Sequence, residues 1–390
     1  MSENVLPRKQ NVILAYCLFI ILNIVYLNVF AMNSQMWWED ENASTQFYFP
    51  LNLDQEKAYI PYMAMMEDGT YVNRISNSAG ISHIYYALKK LTGFSYEDIP
   101  WVSFLINNLF IILCYRYFVK IGLQLGLEMR YRWLFFINPA LIYYSQLINK
   151  EIFTLFFTLA FTYYLGRKQS LKVLLYACFA FIVRMQMLPV GILAIWLHRR
   201  RNYIWSLVII YIITSLAGPV LLPQDIDMDT SSWMRADNTP GMVLLVQSLN
   251  QKYYIGSLIL NPIKIVQYAF DQLRCIFFIM DDGRIDLYKF RDVLFTLTLA
   301  YLISPIMRLT THFRTYINTP CRPLITVTCT FMLVLLVNPM VHSRYLFPIS
   351  YNLVLLAVFV IQELKKTAKA KQECDSRIYT SLNGMQTTGV

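Results

Sequence analysis

Long apolar runs constrain this chain more than any other feature of its sequence. Many of them are about 17–25 residues long, the length with which an α-helix crosses a hydrocarbon core of roughly 30 Å. Hydrophobic residues make up 56% of the 390 residues and charged residues only 15%, whereas soluble domains carry far more charge. The sequence therefore predicts an all-α polytopic membrane protein.

The net charge of +10 indicates membrane sidedness rather than binding to nucleic acid. In membrane proteins Lys and Arg collect in cytoplasmic loops, so their positions matter more than their sum. We therefore expect the lipid bilayer as a partner and no nucleic acid. The seven cysteines lie mostly in or beside apolar runs without a CxxC pair, which is typical of small packing residues.

Assigning the basic clusters to the cytoplasm predicts about ten transmembrane helices in the inner (plasma) membrane, with both termini cytoplasmic. The run 173–197 decides this topology, because a single helix would place the basic cluster 198–201 outside. Two short helices that turn at residues 184–186 keep the cluster inside, and we favour that arrangement. The predicted spans are 11–31, 99–118, 133–148, 152–166, the two halves of 173–197, 203–221, 290–307, 323–338 and 346–362.

These spans form a single integral membrane domain, 1–371, followed by a polar tail, 372–390, that we expect to be disordered and cytoplasmic. Two long outer loops, 32–98 and 222–288, interrupt the domain. Within them, residues 80–92 and 262–279 are predicted to form amphipathic helices on the membrane surface. For 262–279 a crossing is the competing interpretation, and it would invert the topology downstream.

Four polar features fall on the outer side in this topology. They are the loop carboxylates Asp54 and Glu56, the turn with Lys150 and Glu151, the turn at Arg184, and the turn with His342, Arg344 and Tyr345. Ionisable groups at membrane depth are costly and usually mark a site or pathway. A carboxylate can serve as general base on a sugar hydroxyl, while Arg, His and Tyr can hold a phosphate leaving group. The set indicates sugar transfer from a lipid phosphate at the outer face.

The first outer loop carries the acids Asp54 and Glu56, followed by Tyr59, Ala64 and Gly69. This order resembles the first outer loop of the GT-C superfamily of membrane glycosyltransferases. Further similarities to that superfamily lie in residues 80–93 (its juxtamembrane helix), 138–151 (its third and fourth helices) and Arg344-Tyr345 with Pro348 (its Arg-Tyr-x-x-Pro motif). Chain length and the lack of a sizeable soluble domain resemble the bacterial repeat-unit (O-antigen type) polysaccharide polymerases.

The resemblance implies a GT-C-like fold and a glycosyltransferase or polymerase of surface polysaccharide (O-antigen or capsule-like) biosynthesis. Its donor would be a saccharide linked to polyprenyl phosphate or diphosphate, its acceptor a glycan or glycolipid at the periplasmic face, and other polysaccharide-assembly proteins are expected partners. The catalytic base would be Glu56 or Asp54, and Gln55 between them leaves the choice open. The expected substrate- and phosphate-binding residues are Lys150, Glu151, Arg184, His342, Arg344, Tyr345, Arg74 and Tyr59.

Two alternatives remain open from the sequence. A transporter or flippase of lipid-linked oligosaccharide would use similar polar groups, although transporters often show an internal repeat and this sequence shows none. We expect no cofactor, because nothing has the spacing of a zinc site. A divalent cation on Asp54, Glu56 or Glu151 is the alternative, since hard cations prefer carboxylate oxygens.

Overall fold

The computed structural model describes twelve segments of the chain. They are residues 6–26, 47–48, 58–71, 79–145, 147–221, 258–259, 261–262, 275–279, 283, 285–311, 316–336 and 343–386. These segments are almost all helical, which confirms the predicted all-α class.

The helices and strands follow one another in a simple order. The helices are α1 (Leu6–Tyr26), α2 (Ile60–Glu67), α3 (Ala79–Thr92), α4 (Ile99–Gln124), α5 (Pro139–Tyr144), α6 (Glu151–Gly166), α7 (Ser170–Val183), α8 (Met187–Arg199), α9 (Tyr203–Leu221), α10 (Leu287–Thr311), α11 (Arg322–Leu335) and α12 (Ser343–Gln386). Short 3₁₀ helices cover Tyr96–Asp98 and Met129–Phe136, and the strands β1 (Phe47–Tyr48) and β2 (Ile285–Asp286) pair in parallel.

Helix α6 lies at the centre of the bundle. It is apolar around its whole circumference, and 13 of its 16 residues are buried, as expected for a core helix. It packs against α4, α7, α11 and α12. Helix α4 runs in the same direction as α6, since Phe110 contacts Phe153 (4.3 Å between ring centroids) and Tyr117 contacts Tyr164 (5.9 Å).

Three helices are long and apolar enough to cross a membrane: Tyr96–Gln124, Lys289–Met307 and Arg344–Lys369. The other apolar helical stretches described are shorter, at 10–17 residues, and include Ile13–Val25 within α1 and Tyr203–Leu216 within α9. A 16-residue helix such as α6 is only about 24 Å long, less than the roughly 30 Å of a hydrocarbon core. The predicted count of about ten crossings is therefore not confirmed.

The two-helix interpretation of residues 173–197 is confirmed. Helices α7 and α8 pack against each other as a hairpin, and Arg199 Nη2 at the end of α8 donates to Ser170 Oγ at the start of α7 (2.9 Å). The turn between them contains Arg184, as predicted. The side of the membrane on which this turn lies stays a prediction.

The predicted helix 133–148 is wrong as one continuous element. Residues Met129–Phe136 form a 3₁₀ helix, and the separate short helix α5 begins at Pro139. The proline excludes the helical conformation from Asn138, which has ψ 114°, and Asn138 caps α5 by accepting the N–H of Ala140 at 3.0 Å.

The predictions for the C-terminal tail and for the two surface helices have different outcomes. The tail expected to be disordered from residue 372 is helical as far as Gln386, because α12 continues through it. The predicted surface helix 80–92 is present as α3. Most of the predicted surface helix 262–279 lies outside the described residues.

Candidate functional site

Three cationic side chains lie near Tyr345 at the end of the bundle where α6 begins. The positive charges of Arg344, Lys150 and Arg184 all act on the Tyr345 hydroxyl. Lys150 directly precedes α6, Arg184 directly follows α7, and Arg344 and Tyr345 belong to the first turn of α12. We call Lys150, Arg184, Arg344 and Tyr345 the Tyr345 cluster. The structure thus brings together residues that the sequence singled out in three separate turns.

A buried asparagine on α4 holds the turn that leads into the cluster. Nδ2 of Asn107 donates to the carbonyl oxygens of Tyr144 (3.2 Å), Ser145 (3.1 Å) and Leu147 (2.9 Å). These carbonyls belong to the break between α5 and α6, and Asn149 Nδ2 also donates to those of Tyr144 (2.5 Å) and Leu147 (2.7 Å). Asn107 and Asn149 together therefore supply hydrogen bonds that a continuous helix would supply from its backbone, and they fix the direction in which α6 starts.

The start of α6 carries a buried carboxylate. Asn149 Oδ1 accepts the N–H groups of Glu151 (3.0 Å) and Ile152 (3.1 Å) and so caps the helix. Glu151 is 1% exposed and Lys150 6%. Among the described residues neither carboxylate oxygen of Glu151 has a hydrogen-bond partner. Such a group is costly to bury, which makes it a candidate for contact with a ligand.

Arg184 is the largest fully buried side chain described, at 2% exposure. The backbone leaves α7 at this residue in an extended conformation, with φ −151° and ψ 108°. Its guanidinium carbon lies 5.0 Å from the centroid of the Tyr345 ring. Within the described part of the chain, Nε and Nη1 of Arg184 are buried without a hydrogen-bond partner. Two buried donors of Arg184 are thus unused within the described residues.

Helix α3 of the first long loop packs against the same end of the bundle. A Cβ atom at Gly80 would lie 1.6 Å from the carbonyl oxygen of Ile182, so glycine is needed for this close approach two residues before Arg184. Helix α2 is attached to α3 through Lys89 Nζ, which donates to Glu67 Oε2 at 2.6 Å. Helix α3 therefore borders the end of α7 that leads to Arg184.

A buried ion pair near the Tyr345 cluster was not predicted from the sequence. Nε and Nη2 of Arg291, on α10, donate to Asp292 Oδ1 at 2.9 and 2.5 Å. The guanidinium carbon of Arg291 lies 4.2 Å from the Tyr143 ring centroid and 5.3 Å from that of Tyr144. Tyr144 in turn contacts Phe347 of α12 (5.0 Å between ring centroids). The sequence feature that could have indicated this pair is the occurrence of two adjacent charged residues, Arg291 and Asp292, at the start of an apolar run.

Several predicted site residues are not placed in the cluster. Glu56, Asp54, Arg74 and His342 lie outside the described residues, so their roles stay predictions. Tyr59 is fully buried where α2 begins. A divalent cation on Asp54, Glu56 or Glu151 also stays a prediction.

The cluster has the chemistry of an anion site. It brings three cations to one tyrosine, and among them Arg184 has two buried donors that are unused within the described residues. Arginine presents a planar fork of donors that matches phosphate oxygens, and lysine adds a compact charge. The fold and site together define an all-α protein with membrane-length helices and a buried cationic cluster. Comparisons with protein-family models, with curated proteins and with solved structures find no match to this chain.

Proposed function

We propose that the chain is a glycosyltransferase or polymerase of the inner membrane, acting in surface polysaccharide biosynthesis. It would transfer a sugar or oligosaccharide from a polyprenyl-phosphate or polyprenyl-diphosphate donor to a glycan or glycolipid acceptor. The observation that carries the proposal is the convergence of Lys150, Arg184 and Arg344 on Tyr345. A buried group of cations among apolar helices suits a donor that is both anionic and lipid-linked.

The chemistry of the transfer assigns a task to each side chain. The bond between the anomeric carbon and the donor phosphate oxygen breaks, and its electron pair stays on the phosphate. Arg184, Arg344 and Lys150 stabilise that developing charge in a site screened from water. The acceptor oxygen bonds to the anomeric carbon and gives its proton to a carboxylate, for which Glu56 or Asp54 is proposed.

The bilayer explains the position of the site at the end of the bundle. The polyprenyl chain would stay in the outer leaflet while its phosphate enters the Tyr345 cluster from the side. This places the cluster at the periplasmic face and both termini in the cytoplasm, in agreement with the distribution of Lys and Arg.

Transfer can be measured with purified full-length protein in detergent, using a labelled polyprenyl-diphosphate oligosaccharide and a glycolipid acceptor. Detergent micelles have no two leaflets, so a flippase has no measurable reaction there. We expect an elongated labelled saccharide from the wild type. Arg184→Gln and Arg344→Ala should each lower turnover by about 100-fold or more, the loss typical of a transition-state contact.

The matched control is Lys365→Gln, which removes an exposed cation from the other part of α12 and should leave turnover unchanged. Absence of any elongated product, combined with movement of the labelled lipid across proteoliposomes, would identify a flippase instead. Equal losses of turnover in Arg184→Gln, Arg344→Ala and Lys365→Gln would show that the loss does not arise from the Tyr345 cluster.

A further inference from the structure

A cavity of about 620 Å³ lies at the end of α6 opposite the Tyr345 cluster. The last residue of α6, Gly166, lines it, and 15 residue steps separate Gly166 from Glu151 at the first turn. That separation corresponds to about 22 Å along the helix axis. The cavity is therefore distinct from the Tyr345 cluster. Its polar lining comes from the start of α7, the end of α8 and the start of α11, and includes Lys168, Ser170, His198, Arg199, Thr319 and Arg322.

The charged lining of this cavity is entirely basic. The positive charges of Arg322, Lys168 and Arg199 all act on the imidazole of His198. Among the described residues, no Asp or Glu lines the cavity. Like charges held together without a counter-charge repel one another, so an anion in the cavity would be stabilised by all of them.

Two polar atoms at the cavity are not used within the described part of the chain. Arg322 Nη2 donates to the carbonyl oxygen of Arg200 at 2.5 Å, which fixes the guanidinium group. In the described part of the chain, Arg322 Nε and His198 Nδ1 are buried without a hydrogen-bond partner. Helices α7 and α11, each of 14 residues, also begin at the cavity, and their N-termini favour negative charge.

The position of Lys168 at the cavity depends on an unusual backbone conformation. Its φ of 58° lies in the left-handed region, and it is the one described residue other than glycine with a positive φ. Glycine or asparagine would adopt this conformation more readily. Lysine at this turn places a long cationic side chain at the cavity.

Apolar surface lies next to the cavity. Leu171 is 81% exposed on α7, directly after Ser170, and Leu123 is 53% exposed on α4, directly before the lining residue Gln124. An acyl chain could lie on such side chains while its headgroup enters the cavity. A basic pocket between helices at one end of a membrane protein is a typical environment for a lipid phosphate.

We propose that this cavity is a second anion site, which binds a phosphate group through Lys168, Arg199 and Arg322. The phosphate can come from the headgroup of an anionic phospholipid or from a free phosphate or diphosphate. The site is independent of the proposed transfer reaction and would exist whatever chemistry occurs at the Tyr345 cluster.

The test uses the full chain in detergent and two probes. Native mass spectrometry with graded phosphatidylglycerol, compared with phosphatidylcholine, measures lipid binding, and calorimetric titration with inorganic diphosphate measures binding of the free anion. The variants are Lys168→Asn, which keeps a residue suited to positive φ, and Arg322→Gln. Each should weaken binding about tenfold, the loss expected for one charge-assisted contact.

Arg201→Gln is the matched control, because Arg201 is exposed at the same end of the bundle and does not line the cavity. It should change affinity less than about twofold. Preferential binding of one phosphatidylglycerol molecule supports a lipid source, and binding of diphosphate alone supports a free anion. Binding of neither probe, or equal losses in Lys168→Asn and Arg201→Gln, would overturn the proposal. Lys168→Asn alone is decisive if Arg322→Gln does not fold.

Discussion

Arg184 stacks on the ring of Tyr345, with 5.0 Å between the guanidinium carbon and the ring centroid. Arg344 lies at the same distance from this ring and also donates to the Tyr345 hydroxyl at 3.2 Å. An aromatic face attracts a cation but does not neutralise it. The contact with the ring therefore leaves the charge of Arg184 available to an anionic substrate, and the two arginines join the end of α7 to the start of α12.

Arg184→Lys and Arg184→Gln separate the role of charge from that of shape. Lysine keeps the charge but loses the planar fork and the stacking on Tyr345, so we expect an intermediate loss of kcat/KM. Glutamine removes the charge, and we expect a loss of about 100-fold or more. Steady-state kinetics with the lipid-linked donor measures both. Equal activity of Arg184→Gln and the wild type would exclude Arg184 from donor binding.

Glu151→Gln should raise stability while it lowers activity. The buried carboxylate has no described hydrogen-bond partner, and an uncharged amide of nearly the same shape costs less to bury than a charged group. Thermal unfolding in detergent measures stability, and the transfer assay measures activity. We expect a higher Tm and at least a tenfold lower turnover.

The control for this prediction is Glu363→Gln. Glu363 is a partly exposed carboxylate paired with Lys366 at 2.7 Å, and such pairs contribute about 0–1 kcal/mol. Its replacement should change neither readout appreciably. A lower Tm in Glu151→Gln would instead mean that its carboxylate balances neighbouring cations and is structural.

The hairpin of α7 and α8 could be predicted from the sequence because the basic cluster 198–201 restricts the topology. The apolar run alone does not predict a turn at residues 184–186. The turn is predicted because a single span would place the basic cluster 198–201 outside, whereas basic clusters collect on the cytoplasmic side. The same reasoning predicted that Lys150, Arg184 and Arg344 share one end of the bundle. Their convergence on a single ring depends on how α6, α7 and α12 pack, which local sequence does not specify.

Other features could not be predicted for specific physical reasons. Asn107 stands in an apolar run, and a lone asparagine there is compatible with a lipid-facing or a buried position. Arg291 and Asp292 follow the start of a helix, where charged residues are common. Only the packing of α10 against Tyr143 shows that this pair is buried. The hydrophobic length of 133–148 suggested one span, but the break at Pro139 overrides it.

The link between α2 and α3 should depend on pH. The hydrogen bond from Lys89 is the largest cause that lowers the pKa of Glu67, and a hydrogen bond from Tyr96 adds to it. Because the folded-state pKa lies below the unfolded value of about 4.3, the stabilisation is complete above that pH. It is lost as pH falls through the lowered folded-state pKa.

Carboxyl-carbon NMR titration of Glu67 checks this prediction directly. We expect a midpoint below that of an ordinary glutamate in the wild type and a return to the ordinary range in Lys89→Met. Between pH 7 and 5 the difference in Tm between the wild type and Glu67→Gln should be constant, and it should disappear at lower pH. An unchanged midpoint in Lys89→Met would contradict the assignment.

Neighbouring asparagines on α4 provide the sharpest test of how the site is built. Asn107 donates to three carbonyl oxygens in the break before α6, whereas Asn108 donates to Phe104 of its own helix at 2.8 Å. Asn107→Ala removes the donor to the buried carbonyl of Ser145, while Asn149 Nδ2 still donates to those of Tyr144 and Leu147, so we expect a destabilisation of about 1–3 kcal/mol. It should also reduce transfer, because the break positions Lys150.

Asn108→Ala is the matched control, since it removes the same side chain one position further along the same helix. Its hydrogen bond goes to a carbonyl that the helix can satisfy alone, and we expect a loss below about 1 kcal/mol and normal transfer. Thermal unfolding and the donor-turnover assay compare the two variants. If Asn107→Ala lost stability but kept full turnover, the break before α6 would support the fold without positioning the cluster. If both variants behaved alike, the three carbonyl contacts of Asn107 would have no special role in building the site.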